Sequence, residues 1–463
     1  MIPERIKQEL DKYSLTDIHE YIHERTLRTE ESHTEEESDT YTETEFSNTD
    51  TSDPDDYYEE LCVIVDTCIQ KNASLFKEYK YIEKFKKVIT EYIHEEEEDI
   101  EYVFTYDTLH ELLDIILSTF IGGQYPLRST ETYEPTLSPQ EIESMTSQIT
   151  WIRNQPQPDQ RTPDWYKFRH DLITASSAWK LLDTPAQQNS YVYAKCQPLD
   201  ISKFQRTSLD SPFHWGQKYE PLSVLYYEWK YNTTIEDFGC IRHATDHHMG
   251  ASPDGINVNP SSSRYGRMLE IKNIVNRDIT GIPKKEYWIQ MQLQMEVCQL
   301  NECDFLECRF KEYESQEAFE KDGTWERTEE GHPKGVFLMF NHTDENHQYE
   351  YPPWGLSKQE WETWEETTIQ KMEQHGWHWL QTIYWKMPEV SCVLVERNPF
   401  WYASVKDEFA KWWKVIEEER LSGCEHRMSK KRRENKANKE KRKNTDSQET
   451  KLPSIMTIFT DDL

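Results

Sequence analysis

The chain has 463 residues, only 36% of them hydrophobic, and a formal charge of −33. That length allows two or three domains and at least one sizeable core, and without a run of about eighteen apolar residues or a basic, then apolar leader neither a membrane span nor a secretory signal is expected. Acid gathers near the N-terminus and base near the C-terminus, so the net charge does not exclude a nucleic-acid partner. Nine cysteines without a Cys-x-x-Cys pair read as reduced thiols of a soluble, intracellular protein rather than as ligands of zinc or of an iron–sulfur cluster.

Residues 1–25 are expected to be a short helical segment, with Ile6, Leu10, Leu15, Ile18 and Ile22 at helical spacing. Residues 26–56 form an acidic segment: from Thr26 to Glu60 there are fourteen acids against one arginine, Arg28. Such a stretch is too polar to bury a core, and disorder is expected. It is read either as a solubilising tail or as a DNA mimic or phosphorylation-tuned segment that competes for the protein's own basic groove. Residues 57–122 return to helical periodicity (Leu61, Val65, Ile69; Phe85, Ile89, Tyr92; Leu109, Leu113, Ile116) and are read as a helical N-terminal domain, followed by a linker at 123–137.

The central domain is expected over 138–345. It opens with a helix from Ser138 to Asn154, a proline-rich turn and a second helix through Trp165, Phe168 and Arg169. Ser176 follows, placed to begin another helix. Backbone N–H groups and a hydroxyl at a helix start, with the Arg169 fork beside them, suit an anion. Glu220 precedes Pro221 and is read as the start of a helix through Leu225, Tyr226 and Trp229. His243, His247 and His248 are assigned surface or core roles.

The chemistry concentrates in Ser252-Pro253-Asp254-Gly255 and Leu269-Glu270-Ile271-Lys272. A Pro-Asp-Gly turn between β-prone runs predicts strand, turn, strand. On the second strand alternation puts Glu270 and Lys272 on one face and Leu269 and Ile271 on the other. Two convergent carboxylates, Asp254 and Glu270, attract a hard cation such as Mg²⁺, and Lys272 is placed to orient or deprotonate the attacking water and to offset charge on a phosphoryl transition state. Arg277, Lys284 and Lys285 are candidates for DNA backbone contacts. Pro283 starts a helix on which Tyr287, Gln290 and Gln294 share a face.

Strands are expected over 305–310 and 336–341, then a tryptophan-rich helical extension over 346–424 whose aromatics are read as packing anchors. The tail, 425–463, is basic and expected to be disordered, with ten Lys or Arg residues between Arg427 and Lys443. It fits an import signal or a non-specific DNA tether. The final peptide, with Leu452, Ile455, Ile458 and Phe459, has the spacing of a sliding-clamp ligand but lacks its leading glutamine and its aromatic pair.

Taken in order, Trp165, Arg169, Ile173-Thr174-Ala175-Ser176, Trp215-Gly216 through Glu220, Asp254, Glu270-Ile271-Lys272 and the Tyr287 to Met295 helix resemble the YqaJ-type viral recombinases, the phage-lambda-exonuclease branch of the PD-(D/E)xK nucleases. The likeness covers about a third of the chain, residues 159 to about 310. It implies an α/β, restriction-endonuclease-like core with a mixed central sheet flanked by helices. It further implies a Mg²⁺-dependent exonuclease acting 5′ to 3′ on duplex ends, with one or two ions (Mn²⁺ substituting). Glu220 joins Asp254 and Glu270 as a metal carboxylate through the match of Gly216 to Glu220, Gln290 positions the water, and Arg169 and Ser176 hold a terminal 5′-phosphate. Implied partners are double-stranded DNA ends, a single-strand annealing protein and a homo-oligomer. The implied location is the host nucleus or a cytoplasmic replication site of a large DNA virus. Asn273-Ile274 departs from the proline that often follows the lysine. A nicking or structure-specific endonuclease on the same metal site and a non-catalytic DNA-binding or packaging protein are the rival functions.

Overall fold

A computed structural model describes residues 54–78, 80–96, 109–114, 116–117, 129–130, 134, 136–200, 212–342 and 347–428. The expected first helix, most of the acidic segment, the greater part of the linker, the basic run from Lys430 and the clamp-like peptide lie outside the described residues.

Helix α1 (Pro54–Lys71), helix α2 (Tyr81–Glu96) and the helical residues 109–114 and 116–117 bury Leu61, Val65, Phe85, Ile89, Leu112 and Leu113 in a cluster of their own. Helix α3 (Pro139–Arg153) begins at a capping box, Ser138 with Glu141, and Pro139 occupies the first helical turn where its missing N–H costs nothing. Helix α4 (Pro163–His170) is capped by Thr162, whose Oγ1 accepts from the Trp165 backbone N–H. Strand β1 (Ile173–Thr174), helix α5 (Ala175–Ala178) and helix α6 (Pro185–Cys196) follow. Then come helix α7 (Pro212–Tyr231) and strands β2 (Ile235–Glu236), β3 (Ile241–Arg242), β4 (Met249–Ala251), β5 (Gly255–Asn257) and β6 (Met268–Asn273). Helix α8 (Lys285–Cys298) leads into β7 (Glu302–Glu312), α9 (Gln316–Lys321), β8 (Lys334–Asn341), β9 (His347–Glu350), α10 (Lys358–Gln374), β10 (His378–Glu396) and α11 (Pro399–Ser422).

The fold is mixed α/β. Seven strands lie in the order β2-β5-β6-β7-β10-β8-β9, and a small second sheet has the order β1-β4-β3. The β6–β7 pair is parallel, joined through α8, and its neighbours are antiparallel. This hairpin, helix and parallel strand form the α/β core, a mixed central sheet flanked by helices as expected. Met268 and Phe305 pack under α8, while Leu269, Ile271 and Leu306 pack on the opposite face with Tyr219, Leu222 and Tyr227 of α7.

Three expectations change. The boundary at residue 345 does not separate two units, because β10 enters the main sheet between β7 and β8. Its Ile383, Trp385 and Met387 are buried at every second position, a strand period inside a tryptophan-rich run read as helical. Pro388 falls where the register with β7 shifts between Lys386 and Glu389, a bulge that needs no N–H there. The Pro-Asp-Gly turn passes from β4 of the small sheet to β5 of the large one, and the β5–β6 hairpin is closed by residues 258–267. Glycine is required at 255, since a Cβ there would stand 2.2 Å from Ile235 Cγ2. Finally, Glu220 sits in the middle of α7, and Pro221 is inside the helix.

Candidate active site

Strand β6 presents Glu270 and Lys272 on the face opposite Leu269 and Ile271, as alternation requires. Glu270 is fully buried and pairs through Oε1 with the Lys272 ammonium. Its Oε2 accepts from Gln294 Nε2 at 2.8 Å, and the same amide donates to the Ser252 carbonyl at 3.2 Å. Asp254, at the sheet-crossing turn, is tied to the strand beside it: Oδ2 accepts from the Ile271 N–H at 2.8 Å. The Lys272 ammonium lies 5.1 Å from the Tyr287 ring centre.

Glu220 reaches the site from α7 despite the proline that follows it. Asn273, at the end of β6, donates to the Gly216 carbonyl at 3.3 Å and accepts from Ser223 Oγ at 2.8 Å. These two bonds hang the helix on the strand that carries Glu270 and Lys272. Both Glu220 oxygens accept from Arg161 Nη2, at 3.0 and 3.1 Å.

Burial pushes the Glu270 carboxyl up to about 7, and the charge of Asp254 adds to it against the pull of Lys272. Glu220 is likewise pushed up to about 7, by burial first and by Asp254 second. Burial works against the Lys272 charge, yet Glu270 and Asp254 outweigh it and hold the amine above its ordinary value. Burial also raises Asp237, which feels Asp254 as well. Glu220, Glu270 and Asp254 thus lie in one field of excess negative charge.

Arg169 lines the same cleft beside the turn that carries Asp254, and burial lowers its pKa. Its Nη2 donates to Ser176 Oγ at 3.0 Å and its Nη1 to Ser252 Oγ at 3.2 Å, with the guanidinium 4.3 Å from the Trp165 ring centre. Lys195 supports the helix that carries it, donating to the Arg169 and Leu172 carbonyls at 2.6 Å each. Burial, then the charges of Arg169 and Arg420, bring that amine down to about 7. Arg161, Arg169, Ser176, Glu220, Asp254, Lys272 and Gln290 all line one cleft of about 1240 Å³.

The remaining expected residues separate. Gln290 lines the cleft, but Gln294, one turn on, is the glutamine bonded to Glu270. Arg277 is occupied: it pairs with the buried Glu307 and donates to the Asp278 carbonyl at 3.2 Å. Lys284 and Lys285 are exposed at the start of α8. His243 accepts from the Asp246 N–H at 2.9 Å and faces Glu296 at 3.6 Å, a structural role. All nine cysteines are free thiols. Residues missed in the sequence are Gln294, whose signal was its place on the Tyr287–Gln290 face, and Arg161, a lone arginine in a loop with no pattern around it.

Among the described residues no three or more His, Cys, Asp or Glu side chains already enclose a metal-sized point. Glu270 faces Lys272 and Gln294, and Glu220 faces Arg161. The donor chemistry nonetheless suits a hard divalent cation: three carboxylates supply oxygen donors, and burial, with the charge of Asp254 added, raises the pKa values of Glu220 and Glu270.

Residues 164–301 match the family model of the YqaJ-like viral recombinase domain. The uncharacterized protein R354 of Acanthamoeba polyphaga mimivirus is 28% identical over 286 residues, 53% of this chain and 50% of that protein. The chain thus spans about half the length of the curated relative it matches. Two crystal structures of an alkaline exonuclease from Laribacter hongkongensis, one with dAMP, align over 56% of this chain and 94% of theirs, at 18% and 17% identity and TM-scores of 0.33 and 0.32. The segment that carries Arg169, Ser176, Glu220, Asp254, Glu270, Lys272 and Gln294 is thus the part of the chain that is similar to the YqaJ-like viral recombinase domain.

Proposed function

We propose that the chain is a divalent-metal-dependent deoxyribonuclease that degrades duplex DNA from its ends, 5′ to 3′, in viral recombination, repair or replication. The observation that carries this reading is one cleft that brings carboxylates of raised pKa and a lysine together with an arginine–serine fork. A purely binding surface has no use for buried acids next to a phosphate.

Asp254, Glu270 and Glu220 would hold Mg²⁺, as one or two ions, with Mn²⁺ able to substitute. When bound, the ion supplies Lewis-acid polarisation of the phosphodiester and a nucleophilic water at neutral pH. Lys272, kept protonated by Glu270 and Asp254, offsets charge developing on phosphorus rather than removing a proton. Gln294 orients Glu270, Gln290 faces the water, and Arg169 with Ser176 grips the terminal 5′-phosphate by a charge-assisted fork. Lys284 and Lys285 meet the DNA backbone. An annealing protein that takes up the exposed strand, self-association, and work in a viral replication compartment or the host nucleus belong to the same proposal. No helix among the described residues is long and apolar enough to cross a membrane.

The test is digestion of a linear duplex with and without a 5′-phosphate, beside a closed circle, in Mg²⁺, for the wild type and Lys272→Ala. Degradation of the phosphorylated linear duplex alone, lost in a folded Lys272→Ala, is the expected result. Equal cutting of the circle would transfer the assignment to an endonuclease, and no cutting in Mg²⁺ or Mn²⁺ to a binding protein.

A further inference from the structure

The loop between α3 and α4 brings an arginine to the carboxylates that the sequence does not single out. Arg161 has a left-handed backbone, with φ of 66°, a conformation a non-glycine residue keeps only where its surroundings impose it. Both sides of the residue are pinned. Gln160 Nε2 donates to Asp237 Oδ1 at 2.9 Å, to the Phe238 carbonyl at 3.0 Å and to the Pro253 carbonyl at 3.3 Å, which ties the loop to the turn carrying Asp254. Thr162 donates to the Asp159 carbonyl at 2.7 Å and caps α4. The constrained backbone delivers the guanidinium to Glu220, where Nη2 shares a proton donor between both carboxylate oxygens.

That pairing is an odd one for a structural role. The Arg161 side chain is 45% exposed and Glu220 31%, so the bond adds little to stability. It does occupy the oxygens of the carboxylate that faces Asp254 across the cleft. A divalent ion needs lone pairs of the same two oxygens, so a guanidinium held against both of them competes with it for position and charge. Arg169 is committed elsewhere, to Ser176, Ser252 and the Trp165 ring.

On the nuclease reading above, we propose that Arg161 is a further catalytic residue that exchanges partners. It neutralises Glu220 in the metal-free chain, and on cation binding it swings to a non-bridging oxygen of the phosphodiester being cut. The planar fork that fits a carboxylate fits a phosphate equally well. Arg169 then serves the terminal phosphate and Arg161 the scissile one, two different positions on the same strand.

The experiment uses the full chain with Arg161→Asn, chosen because asparagine tolerates the left-handed backbone, and Arg161→Lys, which keeps the charge without the fork. Ca²⁺ is titrated calorimetrically into each variant without DNA, and digestion of the linear duplex is followed in saturating Mg²⁺. With its competitor removed, Glu220 in Arg161→Asn binds Ca²⁺ about tenfold tighter, while kcat falls about a hundredfold. The ratio of rates on 5′-phosphate and 5′-hydroxyl ends stays that of the wild type, and Arg161→Lys lies between. A merely structural arginine would loosen Ca²⁺ binding and lower the melting temperature together. Unchanged or weaker Ca²⁺ binding, or cleavage at the wild-type rate, overturns the inference. A wild type inert toward every duplex would instead remove the nuclease reading, which the Arg161 variants by themselves cannot do.

Discussion

Two buried charge clusters lie on the β6–β7 pair, and they are built to opposite rules. At the start of β7, the fully buried Asp304 accepts from Arg264 at 2.5 Å, Arg267 at 3.2 Å and the Tyr227 hydroxyl at 2.5 Å. Glu302 takes Arg267 at 2.9 Å, Glu134 takes Arg264 at 3.1 Å, and the Arg264 guanidinium lies 3.4 Å from the centre of the Tyr231 ring. Burial opposes the guanidinium charges, and Asp304 holds them. Toward the end of β6 the buried acids have fewer partners: Glu270 meets Lys272 and Glu220 meets Arg161, one cation each, and both glutamates sit at about 7. In the first cluster one buried carboxylate is shared by two arginines and a tyrosine, whereas in the second each glutamate has a single cation and a raised pKa, which a cationic ligand can relieve. Buried charge therefore marks a site only where its partners leave the carboxylates with raised pKa values.

The largest break in this contrast is Asp304→Ala. Two arginines left buried without their shared carboxylate should cost about 3–5 kcal/mol of stability, read as a fall in the denaturant midpoint. A loss below about 1 kcal/mol would mean that the Asp304 cluster is not a folding element.

A smaller effect sharpens the other side. Glu270 has a folded pKa raised from 4.5 to about 7, so its contribution to stability is fully present below 4.5 and is lost as pH climbs through 7. The shift corresponds to about 3 kcal/mol as an upper figure. Glu220 and Glu396 run in the same direction. Melting temperature of the metal-free chain should fall across this window, less steeply in Glu270→Gln, and Mg²⁺ should flatten the fall. A Glu270→Gln profile parallel to the wild type would remove the excess-charge account.

The smallest effects are at the rim. Lys284→Ala and Lys285→Ala should each lower the slope of log affinity against log salt by about 1, with little change in melting temperature. Arg277→Ala should do the opposite, since its guanidinium serves the buried Glu307. DNA binding titrated at several salt concentrations checks all three.

Local rules explain why much of the site was legible. Period-two alternation decides which face Glu270 and Lys272 share, and a capped, proline-started helix announces α3. Elsewhere the local signal pointed the wrong way. Tryptophans of β10 lie in a run that could serve either period, and only pairing with β7 and β8 selects the strand. Pro221 reads as a helix start, yet Asn273 and the packing of Tyr219, Leu222 and Tyr227 on β6 and β7 hold a helix on both sides of it. Gln290 and Gln294 share a helix face, and the depth of β6 beneath α8 decides which amide reaches Glu270.

The sequence by itself determined the kind of chemistry: an acid, an acid and a lysine at strand spacing, and an arginine with a serine at a helix start. Those features are short-range, dictated by backbone period and side-chain type. Tertiary structure decided which groups face one another across a gap: Glu220 with Arg161 over 59 residues, Gln294 with Glu270 over 24, and β10 between two earlier strands. How many cations reach a carboxylate is a property of distance in space. It separates the shared carboxylate at Asp304 from the one at Glu270, which meets a single cation, although both are written in the same residues, acids beside arginines and lysines.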